Sequence, residues 1–260
     1  MDKKRIASNF SRNAASYEDH AAVQKKCAIK LMDIIRGKRF SHILEVGCGP
    51  GVLTGLLRDE YPGSEITAID IAENMVDVAR NKMDGTGVRF EVSDGEKISM
   101  DEKPDLIASN ASFQWFEDTT GAMRRFSEIL AVGGALCFSM YGPETFRELK
   151  EVLKIHFGQD VRLSSSGFIS KEALENILKK YFGTYILWEG HFGANFDSLW
   201  DFLQDIKLSG ARGEGIVGNA FLGKNSIKEL EKTYIEKFGR IIATHHVYFC
   251  KAEIPFGTVI

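Results

Sequence analysis

The chain has 260 residues, of which 44% are hydrophobic, and this is enough to bury the core of one α/β domain. Its 33 basic and 36 acidic residues are interspersed and give a formal net charge of −3, so the charge balance does not point to a nucleic acid or a membrane as partner. No apolar run reaches the roughly 18 residues that cross a bilayer, and the four cysteines lack C-x-x-C pairing, which favours reduced thiols and a cytoplasmic location.

The first 40 residues predict a helical arm. Apolar residues recur at three- and four-residue steps between positions 5 and 37, which is the pattern of two amphipathic helices ahead of the first strand. Such helices can pack on a sheet edge or cover a ligand as a lid, and helical periodicity fits both arrangements.

A strand followed by a glycine turn comes next. The mainly apolar run 42–46 leads into Gly47-Cys48-Gly49-Pro50-Gly51, where glycines permit positive φ and close approach of a ligand to the backbone. A helix predicted over 52–59 would point its N-terminal amides at that ligand. A second apolar run, 66–69, stops at Asp70, where a carboxylate could bind the hydroxyls of a ribose. The alternative is an ordinary strand-to-helix turn with a coincidental acid.

The spacing of the glycines distinguishes between cofactors. The motif is G-x-G-x-G preceded by Glu45, whereas dinucleotide enzymes usually carry G-x-G-x-x-G. This form resembles the class I S-adenosylmethionine methyltransferases, and NAD is the rival cofactor.

Strands and helices then alternate, which predicts a parallel, doubly wound α/β sheet. A helix over 71–83 precedes a strand over 88–92, which ends just before Asp94 and Gly95. The strand 106–108 runs into the polar and aromatic loop 109–115, and such loops commonly carry function. The remaining predicted elements are helices over 120–130, 143–156, 171–181, 196–208 and 226–238, and strands over 135–140, 185–188 and 241–250.

Two features of the C-terminal half bear on function. The glycine-dense loop 209–218 is either a substrate gate or an ordinary surface loop. His245 and His246 fall on opposite faces of the last strand and cannot share one ion, so no metal site is predicted. We interpret residues 1–260 as one domain that comprises the arm (1–40), a cofactor-binding core (41–142) and a half with substrate-side insertions (143–260).

Three further stretches resemble one family, the malonyl-acyl-carrier-protein O-methyltransferases of biotin synthesis. They are F-S-R-N-A-A-S-Y-E-D-H-A-A-V-Q at 10–24, S-N-A-S-F-Q-W at 109–115 and I-K-L-S-G-A at 206–211. The loop 109–115 also resembles trans-aconitate methyltransferases, so the other two stretches decide the choice. The resemblance implies a Rossmann-like sheet of seven strands with the last strand antiparallel, and inserted helices over the cleft.

The resemblance also implies a cofactor site for S-adenosylmethionine, with S-adenosylhomocysteine as product. Its expected residues are Glu45, Gly47, Cys48, Gly49, Asp70, Ile71, Met75, Asp94, Gly95 and Asn110. Asp70 would hold the ribose hydroxyls, Ile71 and Met75 would face the adenine, and Asp94 would accept from its amino group. The alternative for Met75 is a place in the helix core, and the alternative for Asp94 is a plain turn at a strand end.

The implied reaction needs no catalytic side chain. A malonyl carboxylate with a pKa of about 4 is already an ionised nucleophile at neutral pH, so the protein has to align the reactants and exclude water. The expected substrate-side residues are Tyr17, Gln114, Trp115, Arg12 and Arg212. Either arginine could instead lie at the surface, as most arginines do.

The expected partner is an acidic acyl carrier protein that meets a monomeric enzyme. The basic side chains available for docking are Lys3, Lys4, Arg5, Arg12 and Arg212. Methyl esterification of a small acid such as trans-aconitate is the alternative reaction, and an inactive S-adenosylmethionine-binding regulator is the alternative outside enzymes.

Overall fold

The computed structural model describes residues 2–158, 161–209 and 224–255. Of the loop predicted over 209–218, only Ser209 falls within these ranges, so Arg212 lies outside the described residues.

Seven strands form one sheet in the order β3-β2-β1-β4-β5-β7-β6. The first five strands are parallel, and β7 runs antiparallel to both β5 and β6. This confirms the Rossmann-like sheet with an antiparallel last strand. The strands are β1 (His42–Val46), β2 (Glu65–Asp70), β3 (Arg89–Val92), β4 (Leu106–Asn110), β5 (Ala135–Tyr141), β6 (Thr184–Phe196) and β7 (Ile241–Glu253).

The strand order reverses between β1 and β4. The chain steps outward from β1 to β3 and then returns to the other side of β1, so a crevice opens at the carboxyl ends of β1 and β4. Open α/β sheets bind their ligands at such a reversal.

Helices cover both faces of the sheet. The helices in the described ranges are α1 (Lys3–Asn13), α2 (Ala22–Ile35), α3 (Val52–Glu60), α4 (Glu73–Lys82), α5 (Thr119–Ile129), α6 (Arg147–Phe157), α7 (Lys171–Tyr181), α8 (Leu199–Leu208) and α9 (Lys224–Phe238). Short 3-10 turns lie at Tyr17–His20, Phe113–Trp115 and Ser164–Gly167.

The two faces carry separate hydrophobic cores. On β4, Leu106 and Ala108 pack in the core beneath α2 and α3, whereas Ile107 packs in the core beneath α5 and α7. Because side chains alternate along a strand, a strand that is buried on both faces is apolar throughout. This burial explains the continuous apolar runs in the sequence.

The C-terminal half differs from its predicted boundaries in several places. Helix α8 begins at Leu199 rather than 196, because Phe196 still pairs with β7, and β7 itself runs to Glu253 rather than 250.

Strand β6 is thirteen residues long and pairs with β7 along its whole length, whereas the prediction covered only 185–188. Gly190 and Gly193 interrupt the apolar pattern of this strand. Its backbone pairing with β7 makes up for the side-chain contacts that the two glycines lack. Helix α6 begins at Arg147 rather than 143, because Phe146 has a φ of +62° and breaks the helical path.

None of the described helices is long and apolar enough to span a membrane.

Candidate active site

A cleft opens at the carboxyl ends of β1, β2 and β4 and is roofed by the helical arm. It contains about 710 Å³ of space free of protein atoms, part of it open to solvent, which is the size of a typical small-molecule site. The sheet side contributes Val46, Gly47, Gly49, Asp70, Ile71, Met75, Ser93, Asp94, Gly95, Glu96, Asn110, Ala111, Ser112, Trp115 and Phe116, and the arm contributes Lys3, Ile6, Phe10 and Tyr17.

The glycine turn forms the floor of the cleft. The amides of Gly47 and Cys48 both donate to the carbonyl of Ile69, at 2.8 and 3.0 Å, which holds the turn against the end of β2. Gly47 has a φ of +74°, and a Cβ there would overlap the Ser112 side chain. Glycine is therefore required at this position both by its backbone angle and by the approach of the 109–115 loop.

Asp70 lies beside this turn. Its Oδ2 accepts from the Gly49 amide at 2.9 Å and its Oδ1 from the Ala72 amide at 2.8 Å. Burial raises the pKa of Asp70, and these backbone hydrogen bonds counteract the shift. Each carboxylate oxygen has a further lone pair, so the residue can also accept from the two hydroxyls of a diol.

The end of the cleft formed by the residues that follow β2 and β3 is apolar on one side and charged on the other. Met75 is only 1% exposed, yet it lines the cleft with Ile71, so it serves both the helix core and the site. Gly95 lies against β1, where a Cβ would overlap a methyl group of Val46. This end suits a flat, apolar ring.

The carboxylate of Asp94 already has a cationic partner in the arm. Lys3 Nζ lies 2.8 Å from Asp94 Oδ1 and 2.6 Å from Oδ2, and it also pairs with Glu96. Burial alone would lower the pKa of Lys3, but its hydrogen bonds to both acids outweigh that effect and raise it. Lys3 was expected to dock a partner and instead closes the arm over the cleft.

The arm covers the cleft with one face of α1. Lys3, Ile6 and Phe10 recur at helical spacing on that face, and the Phe10 ring meets Trp115 edge-on at 5.9 Å. Arg12 is exposed and does not line the cleft, because two residues beyond Phe10 a helix has turned through about 200°. The expectation that Arg12 faces the substrate is therefore not supported.

The loop after β4 is held by side chains as well as by backbone. Asn110 Nδ2 donates to the Gln24 carbonyl of α2 at 3.1 Å, and Asn110 Oδ1 accepts from Ser139 Oγ at 2.7 Å. Ala111 adopts a φ of +51°, rare for a residue with a Cβ, and its amide donates to the Ser139 carbonyl at 2.9 Å. Such strain is typical of functional sites.

Three residues expected in the site lie behind its walls. Gln114 donates to the Ala111 carbonyl at 2.6 Å and accepts from the Tyr141 amide at 3.2 Å, so both ends of its amide brace the backbone. Cys48 is buried against α4. Glu45 is 1% exposed and its Oε2 has no hydrogen-bond partner within the described chain. Burial, aided by the charge of Asp70, raises the pKa of Glu45 to about 8.

The two adjacent histidines of β7 do face different surroundings. His245 packs against the rings of Tyr141 and Phe146, whereas His246 stacks on His191 at 4.8 Å and bonds Glu189 at 3.0 Å. The absence of a metal site stays a prediction.

Many of the residues expected in the site line this cleft, Tyr17 of the arm among them, and their roles toward a cofactor or substrate stay predictions. The residues that sequence reasoning did not name as lining are Lys3, Ile6, Phe10, Val46, Ser93, Glu96, Ala111, Ser112 and Phe116. The i, i+3, i+7 spacing of the first three was the available signal.

Comparison with known proteins adds relatives along nearly the whole chain. Residues 43–134 match the model of a methyltransferase domain. The malonyl-acyl-carrier-protein O-methyltransferase 1 of Ilyobacter polytropus is 34% identical, over 97% of this chain and 95% of its own. An enzyme of the same name from Acetivibrio thermocellus is 35% identical, over 96% of this chain and 93% of its own.

Solved structures share the fold at lower identity. The N-methyltransferase NodS of Bradyrhizobium japonicum, solved with S-adenosylhomocysteine, superposes with a TM-score of 0.57 at 14% identity, covering 96% of this chain and 99% of that one. The phosphoethanolamine N-methyltransferase 2 of Haemonchus contortus has a TM-score of 0.56 at 19% identity, covering 88% of this chain and 52% of that one. At these identities the likeness concerns the fold.

Proposed function

Because the chain belongs to the malonyl-acyl-carrier-protein O-methyltransferase family, we propose that it methylates the free carboxylate of a malonyl group carried as a thioester on acyl carrier protein. The product is the methyl ester, formed early in biotin synthesis. The observation that carries the proposal is similarity along 97% of the chain, which includes the arm and the C-terminal half as well as the glycine motif.

S-adenosylmethionine is the cofactor, and it supplies an electrophilic methyl group on a positively charged sulfur. The residues of the cleft fit this molecule. Asp70 has free lone pairs for the ribose hydroxyls, Ile71 and Met75 present an apolar face to the adenine, and the backbone at Gly47 and Gly49 admits the amino-acid end. Asp94 can accept from the adenine amino group if it shares its carboxylate with Lys3.

The acceptor carboxylate enters the cleft as an anion. Its pKa of about 4 leaves it ionised at neutral pH, so the protein has no proton to remove. Among the described residues, Lys3 is the one basic side chain that lines the cleft, and Asp94 and Glu96 already occupy it. The carboxylate therefore meets neutral donors, for which the lining offers Tyr17, Ser112 and Trp115.

Positioning and exclusion of water remain as the protein's contribution. Tyr17, Phe10 and Trp115 enclose the substrate end of the cleft with aromatic surface. A dry site strengthens the attraction between the anionic acceptor and the cationic donor and holds them in line.

The experiment offers the purified protein three acceptors in parallel: malonyl carrier protein, malonyl-coenzyme A and trans-aconitate. Labelled methyl transfer is followed at low and raised salt. We expect transfer to malonyl carrier protein to be fastest and to slow with salt, because Lys4, Arg5 and Arg12 are exposed on α1 and the carrier is acidic. A preference for trans-aconitate would refute the proposal.

A further inference from the structure

Two histidines face each other across the outer pair of strands. His191 of β6 pairs in register with His246 of β7, and their rings stack with centroids 4.8 Å apart. Residues directly opposite in an antiparallel pair present their side chains on the same face of the sheet. Glu144, in the loop between β5 and α6, reaches this face, and its Oε2 lies 3.2 Å from His191 Nε2. One donor atom from each of the three residues lies within 4.8 Å of the other two.

The other contacts of His246 decide which of its ring nitrogens carries the proton. Its Nε2 lies 3.0 Å from Glu189 Oε2, and Lys171 Nζ lies 3.2 Å from the second oxygen of that carboxylate. An ionised carboxylate only accepts, so Nε2 carries the proton and Nδ1 keeps a lone pair. The Glu144 amide donates to Nδ1 over a long 3.4 Å. Histidines that bind metals commonly give their other ring N–H to a carboxylate in this way, which fixes the tautomer.

We propose that His191, His246 and Glu144 form a binding site for Zn²⁺. Two imidazoles and a carboxylate are a ligand set that zinc takes in proteins, with bonds of about 2.0–2.2 Å, so the ligand atoms of a tetrahedral ion lie about 3.4 Å apart. The 3.2 Å between His191 Nε2 and Glu144 Oε2 is close to that separation. Imidazole ligands favour zinc over Mg²⁺ and Ca²⁺, which prefer oxygen. None of the three residues lines the cofactor cleft, so the inference does not depend on the proposed function.

Binding requires movement only at exposed side chains. The two rings lie within 7° of parallel, so the His191 ring has to turn before both lone pairs point at one ion. His191 and Glu144 are exposed and can turn without repacking the core. Arg147 Nη1, 3.4 Å from Glu144 Oε2, forms an exposed ion pair that costs little to release. His246 is buried against Gly142, where a Cβ would lie 2.5 Å from Nδ1, and so forms the fixed side of the site.

The sequence-based prediction of no metal site considered a different pair of histidines. His245 and His246 are neighbours on one strand and face apart, whereas His191 comes opposite His246 only through the register of β6 against β7. If the proposal holds, that prediction is wrong. An ion bound here would join the loop ahead of α6 to the outer strands, and it would stabilise the fold because the unfolded chain does not hold the three ligands together.

The test is a calorimetric titration of the full chain, prepared without a polyhistidine tag and freed of metal by a chelator, with zinc chloride. We expect saturable binding of one ion per chain and a melting temperature that rises with the zinc concentration. His191→Ala should weaken zinc binding by at least about tenfold, because it removes one of three ligands. Glu144→Gln should also weaken it and leaves the stacked rings in place, so it separates loss of a ligand from loss of the stack.

The matched control is His42→Ala. His42 Nε2 lies 3.3 Å from Glu102 and 3.8 Å from Glu65, which makes a second cluster of one histidine and two acids among the described residues. This variant should bind zinc as the natural protein does. Absence of saturable zinc binding by the natural protein would overturn the inference, as would unchanged affinity in both the His191 and the Glu144 variants. A loss of binding in the His42 variant alone would place the ion at the start of β1 and overturn it as well.

Discussion

Gly47 is the residue at which the geometry of the cofactor floor is most demanding. Its φ of +74° costs any other residue about 1–2 kcal/mol, and a Cβ would also overlap Ser112. We expect Gly47→Ala to reduce the affinity for S-adenosylhomocysteine by at least about tenfold, because either the turn or the 109–115 loop must move. Calorimetric titration of the purified variant measures this.

Gly37 supplies the control for that substitution. It has a φ of +92° but open space where its Cβ would lie, and it is remote from the cleft. Gly37→Ala should therefore lower the melting temperature without changing cofactor affinity. Normal binding by the Gly47 variant would show that the overlap with Ser112 is relieved at no cost to the site.

Residues whose role follows from local backbone chemistry were predictable, and residues whose role depends on side-chain direction were not. The glycine turn comes directly after β1, and Asp70 is the last residue of β2, so the strand pattern alone predicts where both lie. Gln114 sits in a 3-10 turn that directs its amide at the backbone of Ala111 and Tyr141. Nothing in the loop 109–115 distinguishes Gln114, which faces inward, from Trp115, which lines the cleft.

At the level of whole elements, the sequence predicted the helices of the arm but not the surface that they cover. Its helical periodicity predicted α1 and α2, but the surface that α1 covers is built from β1, β2 and β4, which are distant in sequence. In the structure two contacts hold the middle of the arm: Asn74 donates to the Ser11 carbonyl at 3.0 Å, and His20 bonds Asp205 at 3.0 Å. The arm is therefore a roof over the cleft.

The ion pairs of Lys3 with Asp94 and Glu96 hold the arm on the cofactor side of the cleft, and their removal should make the arm open more often. The side chain of Lys3 is 19% exposed, and that of its partner Glu96 is 7% exposed, so the pair is better shielded than a surface ion pair. We expect Lys3→Ala to speed amide hydrogen exchange in peptides from residues 3–20 and to leave β5 unchanged. Mass spectrometry of the ligand-free protein measures both.

Lys26→Ala provides the comparison, because Lys26 is exposed on α2. It should leave exchange in residues 3–20 as it is. Unchanged exchange in the Lys3 variant would mean that the apolar contacts of Ile6 and Phe10 hold the arm without the ion pair.

At the scale of the molecule, the sheet was the most predictable feature. Alternating strands and helices permit few arrangements, and the antiparallel β7 came from family resemblance. The length of the edge strand β6 was underestimated. Its residues alternate between half-buried and exposed, so its composition gives little indication of a strand.

Glu45 links the centre of this sheet to the pH dependence of the whole fold. Its carboxyl group is buried in β1, and burial raises its pKa from 4.5 to about 8. Between these two values the folded protein binds more protons than the unfolded chain. The free energy of unfolding must then fall as pH rises, by at most about 1.4 kcal/mol per pH unit from this group.

Glu45→Gln should remove that slope, because the amide fills the same space and does not ionise. We expect the variant to match the natural protein near pH 5 and to exceed its stability increasingly up to pH 8. Urea unfolding of the ligand-free proteins at four pH values between 5 and 8 measures the difference. Glu91→Gln makes the same change at an exposed position on β3 and should leave the slope unaltered. Parallel stability curves for the natural protein and Glu45→Gln would mean that the carboxyl group is ionised in the fold, with its charge satisfied by Thr54, by bound water or by a partner outside the described residues.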